Sequence, residues 1–224
     1  RPVRAAPPRP ARADGIPLVA FHRHLVPADD ELDRDLGLAA VHLAEQARGA
    51  APALAAALTA QALPLLERAA ARASDDVPAW ESLGFARTNQ GRADAALAFD
   101  AALARAPDRE RALMWAADAA AARRDYARAE PLARRLAARY PHYPLHQARL
   151  AHVLSELKAW PEAVAAADAA VRGDPLRADF RAILVTALVG AGDAARARIE
   201  FARLAVIDPP THTRLLPQVE GRLR

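Results

Sequence analysis

The side chains best suited to chemistry in this chain are its histidines and short carboxylate runs. His22 and His24 stand two apart, so on a loop or short strand both face one side, where they could ligate a metal or a haem iron. A metal site normally draws on roughly three or four donors. No third is evident, which favours surface or packing roles for the pair. His142 and His146, four apart, would share a helix face, but Pro144 lies between them and interrupts it. Asp29, Asp30 and Glu31 could be a carboxylate cluster, yet negative charge at a helix start accounts for them more simply. Ser155-Glu156 and Asp75-Asp76 have no nucleophile or base companion at a recognisable spacing. Gly190-Ala191-Gly192 is faintly like a phosphate loop but follows a helical pattern, not a strand. Trp115 and Trp160 suit packing better than stacking on bases. No catalytic constellation emerges, and the chain is expected not to be an enzyme.

The elements that position these residues follow a beat. Pro107, Pro141, Pro175 and Pro209 stand 34 residues apart, and Ala95, Ala129, Ala163 and Ala197 keep the same spacing twelve residues upstream. Apolar residues recur at spacings of three, four and seven between these columns, the signature of helices with one buried face. The period predicts four helix pairs, at 77–108, 109–142, 143–176 and 177–210. A proline closes each second helix, and an alanine sits where two helices cross closely. The first pair is one residue short between Gly91 and Ala95, which places the deletion in a turn.

The flanks are less regular. Residues 1–30 begin with Pro2, Pro7, Pro8 and Pro10 among Arg and Ala, so they should be extended, a linker followed by a strap around Ile16–Phe21. Residues 31–76 predict a degenerate helical hairpin, with breaks at Gly49 and Pro52 and a kink at Pro64. Residues 211–224 read as a short, charged capping helix. The chain starts with Arg1 and not Met, which leads us to expect a further segment upstream.

Composition bounds the rest. Hydrophobic residues make up 53% but aromatics only 5%, which suits closely packed alanine-rich helices and an all-α fold. The charge is near balance, 31 basic against 27 acidic residues, with Lys158 the sole lysine. No arginine run is long enough for a nucleic-acid patch. Cysteine is absent, which removes disulfides, thiolate metal sites and covalent haem attachment by this chain. No stretch reaches the roughly 18 apolar residues of a membrane span.

Trp80-Glu81-Ser82-Leu83-Gly84, followed by Gln90-Gly91, Ala95, Phe99, Ala102 and Pro107, resembles a tetratricopeptide repeat (TPR). Later units keep the small residue and the proline. The resemblance implies a right-handed superhelical solenoid of antiparallel helix pairs, acting as a protein–protein interaction scaffold. Its first helices would line a concave groove for a partner peptide or helix. Carried onto this sequence, the groove positions are Glu81, Phe85, Thr88 and Asn89, then Met114, Asp118 and Ala121. They continue with His152, Ser155 and Glu156, and with Ala182, Thr186 and Val189. The family's basic carboxylate clamp is not supported, because Glu81 and Phe85 stand where its Lys and Asn would be. Arg149 alone matches a basic member.

Arg1–Pro10, Ile16-Pro17-Leu18-Val19 and Asp33–Leu38 are also similar to the joint before C-terminal TPR regions of secreted bacterial multihaem c-type cytochromes. That resemblance implies an alternative function as a structural module of an electron-transfer assembly, with haem carried by a partner. It also implies a periplasmic or extracellular location in a high-GC bacterium.

Overall fold

Alanine, leucine and arginine hold helix everywhere between the punctuating Pro, Gly and Asp residues. The computed structural model describes residues 30–223, and among these there are helices and turns but no strand. The helices are α1 (Asp30–Ala47), α2 (Pro52–Arg72), α3 (Val77–Asn89), α4 (Ala95–Arg105), α5 (Glu110–Ala122) and α6 (Tyr126–Arg139). They continue as α7 (Pro144–Glu156), α8 (Trp160–Gly173), α9 (Ala178–Ala191), α10 (Ala194–Ile207) and α11 (Pro209–Val219), with a closing 3₁₀ turn at Glu220–Arg222. The expected all-α class holds. The predicted linker and strap, with His22 and His24, lie outside the described residues. The chain forms two compact units that meet at Arg105 and Ala106.

In the first unit, α1 packs on α2, α2 on α3, and α3 on α4. Gly84 lets α3 approach α4 so closely that a β-carbon there would lie 2.6 Å from the Phe99 ring. The missing residue between Gly91 and Ala95 has a visible effect, since α4 starts only at Ala95. The corresponding helix α6 starts 35 residues after Gly91, at Tyr126, directly behind its own turn. A polar net fills the shortened corner. Arg92 holds Asp94 at 2.8 Å and Glu67 at 3.0 Å, and Arg87 reaches Glu67 at 3.2 Å. The hydrogen bond from Arg92 keeps the Asp94 carboxyl below its ordinary range.

The second unit repeats the hairpin more evenly. The periodic Ala129, Ala163 and Ala197 are fully buried. They join Leu150, Leu154, Leu184, Leu188, Phe201 and Leu204 in one apolar core, as expected for positions that let helices cross at short range. Gly190 plays the part of Gly84 here. A β-carbon on it would stand 2.4 Å from the Trp160 indole, so Trp160 and the glycine pair belong to packing and a turn.

Each hairpin turn carries one left-handed residue. Gly91 (φ 68°) and Gly192 (φ 80°) take that conformation freely, while Arg124 (φ 61°) and Lys158 (φ 59°) adopt it despite their side chains. Asp125 and Asp193 then cap the following helices, accepting from Arg128 N at 3.2 Å and Arg196 N at 3.1 Å.

The proline column divides in the structure. Pro107, Pro141 and Pro175 open a two-residue turn between helices, whereas Pro209 is the first residue of α11. Asp208 makes the difference. It caps α11 by accepting from Thr211 N at 3.4 Å and from Thr211 Oγ1 at 2.6 Å. The terminal helix therefore begins two residues earlier than the period predicts, and its Leu215 and Val219 complete the core of this unit.

Candidate functional site

The first helices of the third and fourth repeats, α7 and α9, pack side by side in the second unit. Their exposed faces enclose an open pocket of about 140 Å³ lined by His152, Ser155, Glu156, Ala182, Ile183 and Thr186. Helical spacing explains the set. Residues 152, 155 and 156 project together from α7, and residues 182, 183 and 186 from α9. The structure thus brings together four predicted groove residues, His152, Ser155, Glu156 and Thr186. It adds Ile183, which the groove positions omit. The signal for Ile183 was its place three residues before Thr186, on the same helix face.

Inside this pocket, Ser155 Oγ donates to Ala151 O at 2.8 Å and Thr186 Oγ1 donates to Ala182 O at 3.0 Å. His152 is exposed, and its ring lies edge-on to Tyr126 at 6.5 Å between centroids. Glu156 is exposed and makes no ion pair or hydrogen bond with any described residue.

The other predicted positions go elsewhere. Asp118 and Arg149 bind each other, with Arg149 Nε at 2.9 Å from Oδ1 and Nη2 at 3.2 Å from Oδ2. Both are half-buried, so Arg149 is committed to a carboxylate of its own chain. Met114 is half-buried on α5. In the first unit, Glu81 and Phe85 are 0% and 3% exposed, which corrects their placement on an open groove. The reason is the approach of α2 and α4 to α3, which closes over residues 81–86. Asn89 is half-buried, and its buried Nδ2 donates to no other group of the structure. No single surface of the described residues gathers all ten positions.

His146 shows what the sequence pattern concealed. Pro144 is the first residue of α7 and leaves His142 in the preceding turn, so the two histidines do not pair. His146 instead is 0% exposed, with Nε2 at 2.9 Å from Glu110 Oε1 on α5, between the rings of Tyr140 and Tyr143. Its Nδ1 is buried without a partner. Burial pushes the imidazole below its ordinary pKa, against the opposing pull of Glu110. Among the described residues no three His, Cys, Asp or Glu side chains converge as a metal site. No helix there is long and apolar enough to cross a membrane.

No protein-family model matches the sequence, and no curated protein matches it. Solved structures do. The chain is similar to MamA of AMB-1, with a TM-score of 0.67 and 22% identity over 79% of this chain and 98% of that one. It is similar to MamA of MSR-1 at a TM-score of 0.67 and 20% identity, over 80% and 97%. MamA from Desulfovibrio magneticus RS-1, from its residue 41 onward, gives 0.66 and 19%, over 82% and 97%. MamA is a TPR-like helical protein.

The fold is TPR-type.

At these identities the likeness concerns architecture, and it agrees with the buried alanine column, the glycine close approaches and the repeated turns. It carries no residue of MamA's onto this chain.

Proposed function

We propose that the chain is a non-catalytic protein-interaction scaffold, which seats a peptide segment or helix of a partner protein on the exposed faces of α7 and α9. The observation that carries this reading is the pocket formed by His152, Ser155, Glu156, Ala182, Ile183 and Thr186. It is the place where side chains off the 34-residue beat converge. Its size argues in the same direction, since small-molecule sites usually run to roughly 300–1,000 Å³. TPR-type architecture supports it too, because stacked hairpins leave the first helices with a shared surface.

The test is capture from a lysate of the source cell by the wild-type chain, beside Thr186→Arg and His152→Ala variants whose circular dichroism and melting match wild type. At least one protein should be held by wild type and lost by Thr186→Arg. An identical captured set for all three baits would defeat the reading. A visible spectrum of the captured material then addresses the partner's nature. A Soret band would favour the multihaem-cytochrome alternative, and its absence from a stoichiometric complex would count against it.

A further inference from the structure

We infer that the pocket between α7 and α9 receives a cationic side chain, an arginine guanidinium or a lysine ammonium, presented by the partner protein. This rests on the scaffold function proposed above and narrows it to the chemistry of the partner.

The free hydrogen-bonding capacity of the lining is acceptor capacity. A hydroxyl has a single hydrogen. Ser155 has spent its hydrogen on Ala151 O and Thr186 on Ala182 O, a common arrangement for hydroxyls inside helices. Both oxygens keep only lone pairs for a guest. Glu156 adds an exposed carboxylate that accepts and cannot donate once ionised, and no described residue neutralises it. His152 can present either a donor or an acceptor nitrogen, so it opposes neither kind of guest.

The remaining walls, Ala182 and Ile183, are apolar and suit the methylene stem behind a charged head. The arginines of the two helices do not repel such a guest, because each is already paired. Arg149 on α7 is held by Asp118, and buried Arg181 on α9 by Glu200. An acidic guest would face Glu156, and an apolar one would strip water from it without compensation. The volume, about 140 Å³, is close to that of an engineered cavity of about 150 Å³ that admits benzene. It is space for one side chain.

The experiment is selection of phage-displayed dodecapeptides on the full chain, followed by binding of synthetic winners to wild type, Glu156→Gln and Thr186→Arg. The expected winners share an Arg or Lys and lose binding on Thr186→Arg. They should weaken about fivefold on Glu156→Gln, the worth of one solvent-accessible ion pair, and weaken further as salt rises. Citrulline in place of their Arg should reproduce the Glu156→Gln loss. Winners that are sensitive to Thr186→Arg but lack a cation, or are indifferent to Glu156→Gln, would overturn this proposal and leave the scaffold reading standing. If no winner is sensitive to Thr186→Arg, the pocket fails as a binding site and both fall together.

Discussion

Helix α7 carries two histidines six residues apart that live in different worlds. His146, near its start, is sealed between two tyrosines and bonded to Glu110 on the neighbouring first helix. His152, two turns further on, stands in solvent at the edge of the pocket. One face of the helix is a seam that fixes how consecutive repeats stack, and the other is a surface left free to meet something else. The lesson is that stability and recognition are divided by helix face, so damage to one side should spare the other.

The sharpest break in that division is steric. Gly190→Ala places a methyl 2.4 Å from the Trp160 ring. We expect a loss toward the upper end of the roughly 1–3 kcal/mol seen for overpacked interiors, measured by urea denaturation. Gly84→Ala, against Phe99 at 2.6 Å, should cost a comparable amount. His146→Ala comes next, at about 2 kcal/mol for a vacated buried site. If that variant melts like wild type, the seam is not where stability resides.

His146 also predicts a pH dependence of known sign. Its folded pKa lies below the usual 6.5, so the unfolded chain binds the proton more readily than the folded one. The neutral side chain's contribution to stability is therefore fully present above pH 6.5 and is lost as the pH falls through the depressed folded value. The geometry gives the cause. With Nε2–H donating to Glu110, a second proton must go on Nδ1, which is buried with no acceptor. Midpoints of denaturation measured across this range should fall toward acid in wild type and fall less in His146→Phe. Equal slopes would remove His146 as the cause.

Smaller effects lie in the turns and at the pocket. Arg124→Gly and Lys158→Gly should each stabilise by about 1 kcal/mol, because glycine relieves a left-handed backbone. Gly192→Ala should destabilise by a similar amount. At the pocket, Glu156→Gln should leave stability within about 0.5 kcal/mol of wild type, and its effect should appear only in binding. A Glu156→Gln variant that melts early would blur the division between the two faces.

Much of the fold was legible because packing is periodic. A column of alanines every 34 residues cannot be exposed by chance in a stacked array, and Ala129, Ala163 and Ala197 are all buried. The candidate site was legible only in part. Residues 152, 155, 156 and 186 were found because helix spacing alone puts them on one face. Glu81 and Phe85 occupy equivalent positions in the first repeat but are buried, since burial depends on the helices on either side and not on position within the repeat. The roles of His146 and Pro209 were hidden for the same reason. Glu110 lies 36 residues from His146, and only the Asp208 cap distinguishes Pro209 from its three counterparts.

The Trp160–Gly190 contact has an optical consequence. The indole presses on the last turn of α9, the helix that carries Ala182, Ile183 and Thr186 into the pocket. A guest that shifts α9 must change the surroundings of that ring. With Trp80 and Trp115 replaced by Phe, leaving Trp160 as the single remaining indole of three, emission wavelength and intensity would turn the protein into its own fluorescent titration probe, with no label attached.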